Sequence, residues 1–164
     1  LLEDDGEALF MILSSNYSSG DLEVCREMFL EPRTVTGNGD AGAHVNFISD
    51  CSVTTHHLTH WTRDRTRGER FTVEFMVHRL TKDTADLYGF DDRGSIEVGK
   101  RADINVIDYD NLTIGLPELR YDLPENNSRL MQPATGYLET LVNGVSIRRD
   151  DTDTGERPGR LLRG

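Results

Sequence analysis

The fold of this chain is decided by the stretch Thr34-Val35-Thr36-Gly37-Asn38-Gly39-Asp40-Ala41-Gly42-Ala43-His44. Its first three residues are β-branched, which favours an extended strand, and glycines follow at the point where the backbone must turn. The turn carries the carboxylate of Asp40 and, four residues later, the imidazole of His44. The stretch predicts a strand over Arg33–Thr36 that delivers Asp40 to its own end, where a carboxylate can meet a ligand.

Gly37, Gly39 and Gly42 have the spacing GxGxxG, and the acidic residue Asp64 lies about 20 positions further on. Both features occur in the dinucleotide-binding fingerprint. We reject that interpretation, because Asp40 would place negative charge beside a pyrophosphate and residues 45–50 do not predict a helix. Two alternatives stay open from the residues alone. Asp40 is either a metal ligand or general base at the end of a barrel strand, or a solvated carboxylate in a glycine-rich turn, which spacing alone favours.

The composition restricts the kinds of partner. The chain has 164 residues and a formal net charge of -11, which would repel nucleic acid and anionic membrane surfaces. It contains no apolar run of membrane-spanning length. Its two cysteines, Cys25 and Cys51, form no disulfide framework, which fits a reducing compartment. We therefore expect a cytoplasmic protein that binds neither nucleic acid nor membrane.

The first half of the chain shows an alternation of strands and helices. Ala8–Leu13 is an apolar run typical of a strand buried in a parallel sheet, and a helix is predicted from Asp21 to Leu30. Two more helices are predicted over Phe71–Leu80 and from Thr81 to Gly89, with threonine as the N-cap of the second. Together with the strand that leads to Asp40, this order indicates a βα unit followed by a further strand.

Beyond residue 90 the pattern changes to short strands. One is predicted between Gly94 and Gly99, another over Ala102–Asp108, and Asn143-Gly144 predicts a tight hairpin turn. Residues 112–132 contain Pro117 and Pro124, with Pro133 directly after them, and are predicted to be a long irregular connection. Residues 148–164 are predicted to be a polar tail.

Residues 51–60 contain a second group of candidate side chains. His56 and His60 are four residues apart, so on a helix they would share a face, a spacing that can bind a metal. We favour the alternative that these histidines make hydrogen bonds near the mouth of an active site, because no carboxylate or thiolate completes a known ligand spacing. Cys51 is expected to be inert, since nothing supplies the other groups of a thiol catalytic site.

The segment Trp61–Arg70 is the one basic cluster in this acidic chain. An arginine here, with Arg63 as the candidate, could form a bidentate pair with a substrate carboxylate. The alternative is that the arginines pair with Asp64, Glu69 and neighbouring acids in a solvated loop.

Several motifs together resemble the C-terminal part of amidohydrolases of the N-acyl-D-amino-acid deacylase (D-aminoacylase) type. The resemblance covers nearly the whole chain, and the combination is specific although each motif alone is not. The matching segments are residues 37–44, 60–65, 92–96, 99–108, 142–145 and 154–162.

The resemblance implies an α/β fold with two parts. Residues 1–90 would form the C-terminal portion of a (β/α)8 metal-dependent hydrolase barrel, that is its last two strands and helices. Residues 91–164 would form part of a small β-sandwich and a C-terminal tail. Because such a barrel takes about 250 residues, we expect the chain to be a fragment that is inactive alone and needs the missing N-terminal barrel portion or an oligomeric partner.

The resemblance also implies a reaction, hydrolysis of a linear amide C–N bond in a small N-acyl-D-amino acid with one or two zinc ions. Asp40 matches the Asp that acts as the catalytic base and is a possible metal ligand, the main ligands lying outside this chain. His44 and Arg63 are the candidate substrate-binding residues. The alternatives are a cyclic-amide hydrolase of the dihydroorotase or hydantoinase kind and a non-catalytic β-rich structural or interaction module.

Overall fold

A computed structural model describes residues 15–37, 39–42, 44–47 and 50–162 of the chain. Contacts divide the chain into two compact units, Leu1–Thr34 and Val35–Gly164. The predicted strand Ala8–Leu13 lies outside the described residues. The helices are α1 (Glu23–Leu30), α2 (Val53–Thr59), α3 (Val73–Leu80) and α4 (Lys82–Leu87), and the strands are β1 (Ile104–Ile107), β2 (Thr113–Ile114), β3 (Glu118–Leu123), β4 (Asn127–Met131), β5 (Ala134–Thr135), β6 (Tyr137–Val142), β7 (Val145–Arg149) and β8 (Thr152–Asp153).

Helix α1 confirms the helix predicted between Asp21 and Leu30. The carboxylate of Asp21 accepts a hydrogen bond from the backbone N–H of Glu23 at 3.0 Å, which satisfies a donor in the first turn. The helix ends before Glu31, where the backbone becomes extended, and Pro32 follows. The N-cap position is Leu22, so the helix begins one residue later than a cap at Asp21 predicts, and it ends at Leu30 as predicted.

The strand predicted over Arg33–Thr36 is wrong. Thr34 donates from its backbone N–H to the carbonyl of Glu31 at 3.1 Å, so it closes the turn after α1. Thr36 donates from its hydroxyl to the carbonyl of Arg79 at 2.9 Å. A strand needs a neighbouring strand for its backbone hydrogen bonds, and in the described ranges the first strand begins only at Ile104.

The second unit contains a helical layer, which we define as α2, the π-helix His60–Asp64, α3 and α4. Helices α3 and α4 confirm two predicted helices. The hydroxyl of Thr72 accepts from the N–H of Phe75 at 3.1 Å and caps α3. Thr81 holds the N-cap position of α4, as predicted, but its hydroxyl donates to the carbonyl of Val77 at 2.7 Å and does not cap. Gly89 ends α4 with a backbone φ of 69°.

The apolar core lies mainly in this helical layer. Met76 of α3 is fully buried, and so is Leu112, which lies just before β2. Because α2 also contacts β2, the core reaches from the helices to the first short strand pair. The buried hydrophobic side chains among the described residues are Leu58, Trp61, Phe71, Met76, Ala85 and Leu112.

The second half of the chain is β-rich, as predicted. Strands β1, β6, β7 and β8 form an antiparallel sheet in the order β1-β6-β7-β8, and β2 pairs with β5 and β3 with β4. The hairpin between β6 and β7 turns through Asn143 and Gly144, with φ values of 52° and 78°. Both residues take the left-handed conformation that a tight hairpin requires, so this turn prediction is confirmed.

Two predictions in this half are wrong. Residues 112–132 are not irregular, because β3 and β4 form a hairpin in which Leu119 pairs with Leu130. The prolines stand outside the paired residues, with Pro124 starting the turn between the strands. The stretch between Gly94 and Gly99 forms turns instead of a strand.

The helical layer and the β-rich part are joined by a polar seam, which we define as Ser52, Thr55, Thr62 and their partners. Thr55 and Tyr137 share a hydroxyl–hydroxyl bond of 2.7 Å, and Thr62 and Tyr109 share one of 2.6 Å. Ser52 donates to the side-chain oxygen of Gln132. The compact unit Val35–Gly164 therefore includes residues on both sides of residue 90. The division of the chain into two domains at residue 90 stays a prediction.

At the coarse level the predicted fold class is confirmed, since the chain mixes helices with several sheets. The assignment of residues 1–90 to a barrel and of residues 91–164 to a sandwich stays a prediction. None of the helices in the described part of the chain has the length and apolar character to cross a membrane.

Candidate active site

The candidate catalytic residue Asp40 lies on a segment that is attached at both ends, the Asp40 segment (the described residues between Val35 and Phe47). Near its start, Thr36 donates to the carbonyl of Arg79 in α3 at 2.9 Å. Near its end, the carbonyl of Val45 accepts from the N–H of Leu130 in β4 at 2.7 Å. The segment therefore runs from the helical layer to the β3–β4 hairpin.

A third attachment lies directly before Asp40. A Cβ atom added to Gly39 would lie 2.6 Å from the Cβ of Asp50 and closer still to the Asp50 carbonyl oxygen. Only glycine fits a backbone packed this closely on another backbone. Gly39 thereby fixes the chain one residue before the candidate carboxylate.

The side chain of Asp40 is exposed. Within the described ranges, no side chain or backbone group forms a hydrogen bond or ion pair with its carboxylate. A carboxylate on an anchored backbone, with its oxygens open, can accept a proton or bind a ligand.

His44 lies on the same exposed segment, four residues after Asp40. Its backbone has a φ of 50°, and its carbonyl accepts from the N–H of Phe47 at 2.7 Å, which closes a tight turn. The structure thus brings Asp40 and His44 onto one segment, and their roles stay predictions.

Arg63 lies in the π-helix His60–Asp64, which continues α2. Its Nε and Nη2 donate to the two carboxylate oxygens of Asp64 at 2.6 and 3.0 Å. Its remaining N–H groups donate to backbone carbonyls at the start of the β-rich part, namely those of Tyr109, Asp110 and Leu112. All five N–H donors of the guanidinium are therefore in use.

The role of Arg63 in substrate binding stays a prediction. In the structure its N–H groups are already bonded, so binding a substrate would require some of these bonds to break. A substrate carboxylate bound in the bidentate manner would have to displace two of the present acceptors. The ion pair with Asp64 is the bidentate arrangement that the sequence offered as the alternative, and its hydrogen bond lowers the pKa of Asp64.

The histidines after Cys51 lie on α2 and at the start of the π-helix. His56 and His60 share a face, as predicted, with ring centroids 4.8 Å apart. Within the described ranges, no group of three His, Cys, Asp or Glu side chains is arranged to hold a metal ion. Cys51 is exposed, and the described residues form no disulfide with it.

The sequence interpretation missed the polar seam and the π-helix. A signal for the seam was present, because Thr55, Thr59 and Thr62 repeat at helical spacing. Two of these three side chains, Thr55 and Thr62, contact tyrosines of the β-rich part. The π-helix has no such signal in the residues themselves.

Comparison with known proteins identifies relatives of this chain. The sequence model of the amidohydrolase family matches residues 19–148, which include Asp40, His44 and Arg63. An N-acyl-D-glutamate deacylase from Alcaligenes xylosoxydans xylosoxydans is 32% identical over 96 residues, which are 58% of this chain and 18% of that protein. The aligned part thus spans less than a fifth of that relative. No solved structure gives a significant match.

Proposed function

Because the chain belongs to the amidohydrolase family, we propose that it is part of a metal-dependent hydrolase that cleaves the linear amide bond of an N-acyl-D-amino acid. The activity for which the relative is named, deacylation of N-acyl-D-glutamate, supports this substrate class. The predicted resemblance to amidohydrolases of the D-aminoacylase type is confirmed by the same two matches. The substrate and the reaction remain the proposal.

The observation that carries the proposal is the placement of Asp40. An exposed carboxylate, with neither oxygen engaged by the described residues, stands on a backbone that Gly39 holds against Asp50. In this position Asp40 can take a proton from the attacking water and later pass it to the leaving amine nitrogen. His44, on the same exposed segment, is proposed to contact the substrate.

Amidohydrolases generally depend on a metal, and we propose zinc. When bound, zinc polarises the amide carbonyl and acidifies the attacking water. The residues described in this chain do not form such a centre by themselves, because no three ligand-type side chains converge. Asp40 could supply one carboxylate ligand, and the other ligands would have to come from outside the described part of the chain.

We propose that hydrolysis requires more than this chain. The alignment with the deacylase covers only 18% of that protein, so most of its length has no counterpart here. The remaining part of the barrel, supplied by the same protein or by an oligomeric partner, would bring the missing metal ligands. The isolated chain would then be inactive.

The first test is the substitution Asp40→Asn in the complete protein that contains this chain. Asparagine keeps the size of the side chain but cannot take a proton, so we expect kcat for N-acetyl-D-glutamate and related N-acetyl-D-amino acids to fall about 10²- to 10⁴-fold. Because the main metal ligands are proposed to lie outside the described part of the chain, metal content should stay largely intact, and the circular dichroism spectrum should not change. Asp91→Asn, at another exposed aspartate, is the matched control and should retain activity.

Turnover near the original rate in the Asp40→Asn protein would show that Asp40 is not the base. Hydrolysis of dihydroorotate or hydantoins, with no turnover of N-acetyl-D-amino acids, would instead favour the cyclic-amide alternative. Absence of both activities in the metal-loaded complete protein would favour a non-catalytic module.

A further inference from the structure

One side chain of the β-rich part, Gln132, connects the end of β4 with the turn that supports Gly39. Its amide nitrogen donates to the carbonyl of Gly115 at 3.2 Å, and its side-chain oxygen accepts from the hydroxyl of Ser52. An amide rotated by half a turn would set its oxygen against the Gly115 carbonyl, and two acceptors cannot bond to each other. Gln132 therefore holds one orientation between the two parts of the fold.

The Gly115 end of this connection is anchored in the paired strands. Gly115 directly follows β2, and its N–H donates to the carbonyl of Pro133, directly before β5, at 2.7 Å. A Cβ atom added to Gly115 would lie 3.0 Å from the ring of Pro133, so the two residues pack closely. The carbonyl that Gln132 uses is thus fixed by the β2–β5 pair.

The Ser52 end departs from the local preference of serine. Ser52 occupies the N-cap position of α2, where serine usually accepts a hydrogen bond from its own helix, but its side chain makes no such bond. Its backbone is helical, with a φ of -84° and a ψ of 0°, whereas an N-cap is typically extended. The hydroxyl of this buried residue donates to Gln132 instead, so a contact with the β-rich part replaces the helix cap.

The turn that contains Ser52 is the one on which Gly39 packs. Ser52 is the last residue of the 3₁₀ turn Asp50–Ser52. A Cβ atom added to Gly39 would lie 2.6 Å from the Cβ of Asp50, so no free space separates the two segments. A displacement of the turn therefore displaces Gly39, and the carboxylate of Asp40, the next residue, moves with it.

The same end of β4 also holds the far side of the Asp40 segment. Leu130, two residues before Gln132, donates from its N–H to the carbonyl of Val45 at 2.7 Å. One strand end thus fixes the segment directly beyond His44 and indirectly, through Ser52, just before Asp40.

From this series of contacts we propose that Gln132 is a positioning residue for Asp40. It acts through Ser52 and the turn Asp50–Ser52 and does not touch the reacting atoms. The inference rests on the proposed function, in which Asp40 takes a proton from the attacking water. This transfer depends on the placement of the carboxylate, and a displacement of about 1 Å can lower a rate about 100-fold.

The test is the substitution Gln132→Met in the complete protein that contains this chain. Methionine has nearly the length of glutamine but cannot make the two amide bonds. We expect kcat for N-acetyl-D-glutamate to fall about 10- to 100-fold, because Asp40 is no longer held in place. KM should change less than about twofold, because Leu130 still holds the part of the segment beside His44.

Ser52→Ala removes the partner at the other end and should lower kcat by a similar factor. Because both substitutions break one connection, the double variant should be no slower than Gln132→Met alone. Losses that multiply in the double variant would overturn the proposal that Gln132 acts through Ser52.

Thr55→Val is the matched control for a merely structural effect. Thr55 is buried on α2, and its hydroxyl bonds to Tyr137 across the same polar seam at 2.7 Å. Its replacement should lower the thermal midpoint of the complete protein and leave kcat unchanged. A loss of kcat equal to that of Gln132→Met would overturn the positioning role.

A second readout does not depend on hydrolysis. In hydrogen–deuterium exchange of the complete protein, the backbone amides of Gly39 and Asp40 should exchange faster in Gln132→Met, because the turn that supports them is released. Exchange there should stay unchanged in Thr55→Val. Unchanged exchange in a folded Gln132→Met protein would overturn the proposal.

The Asp40→Asn protein separates this inference from the proposed function. Loss of turnover in Asp40→Asn together with full turnover in Gln132→Met would overturn the positioning role and leave Asp40 as the base. Full turnover in Asp40→Asn would overturn both.

Discussion

At the scale of single residues, Arg63 joins two parts of the fold, because its hydrogen bonds link the π-helix to the backbone just before β2. Its guanidinium bonds to Asp64 on its own helix and to three backbone carbonyls that precede β2. It also lies over the ring of Tyr109, with 5.5 Å between the guanidinium carbon and the ring centroid. A planar fork of five donors can satisfy this set, and the single ammonium group of lysine cannot.

We therefore predict that Arg63→Lys destabilises the isolated chain although it keeps the charge. Loss of two or more charge-assisted hydrogen bonds should lower the free energy of unfolding by about 1–3 kcal/mol. Urea denaturation followed by the fluorescence of Trp61 would measure the change, since this tryptophan is buried and is the only one in the sequence.

Arg33→Lys is the matched control for this prediction. The side chain of Arg33 is 87% exposed and pairs with Glu31, so its replacement should change the free energy of unfolding by less than about 0.5 kcal/mol. Equal effects of the two substitutions would contradict the role assigned to Arg63.

The sequence predicted Asp40 as the central carboxylate but did not predict what fixes it. Glycine at position 39 predicts a sharp turn and room for a close approach, but it does not predict which group approaches. In the structure it is needed because the backbone of Asp50 occupies the space of a side chain. Such a contact between segments depends on tertiary packing, which local residue patterns do not encode.

At the scale of elements, α2 places its histidines in surroundings that disfavour their charged forms. Burial lowers the pKa values of both His56 and His57. The groups that face His56 are the imidazoles of His57 and His60, and a positive charge on either would repel one on His56. The helix is thus packed in its uncharged state.

This predicts that the chain loses stability in mild acid. The unfolded chain protonates His56 near its ordinary pKa of about 6.5, whereas the folded chain does so only near 4, so the unfolded state binds more protons between these values. The free energy of unfolding should be constant above about pH 7 and fall by about 1–3 kcal/mol toward about pH 4.5.

His56→Gln separates this effect from the titration of carboxylates. Urea denaturation of both chains across this pH range should give a smaller loss of stability in the variant, because glutamine does not bind the proton. Parallel curves for the two chains would show that His56 does not cause the loss.

The elements that the sequence predicted well are those with local signals. Thr72 caps α3, and Asn143-Gly144 adopts the two positive φ values that its hairpin requires. The strand at Arg33–Thr36 failed because its β-branched residues have no partner strand among the described residues. The sequence does not predict the β3–β4 hairpin, because the prolines near its strand ends favour an irregular connection although they lie outside the paired residues.

At the scale of the whole molecule, the described part of the second unit combines the helical layer and the β-rich part. The polar seam, the three hydrogen bonds from Arg63 to backbone carbonyls before β2 and the buried side chain of Leu112 all lie between the two. This arrangement could not be predicted from composition, which changes near residue 90 and so suggested a boundary there.

We predict that these two parts unfold together. In urea, the fluorescence of Trp61 and the amide NMR signals of β6 and β7 should be lost over the same concentration range, because unfolding of either part exposes their shared contacts. Two separate transitions would support the predicted division into residues 1–90 and 91–164. The double substitution Thr55→Val with Tyr137→Phe, which removes one bond of the seam, should keep the transitions together at a lower midpoint.

The attachment of the Asp40 segment to Leu130 also has a consequence for the order of events on the ribosome. The contacts of Gly39 with Asp50 and of Thr36 with Arg79 can form before the strands have been synthesised. The carbonyl of Val45 can accept its hydrogen bond from Leu130 only after β4 has left the exit tunnel. The nascent chain therefore carries Asp40 on a segment held at one end only until the β3–β4 hairpin emerges. The proposed catalytic carboxylate would acquire its final position late in synthesis, after the helical layer has been completed.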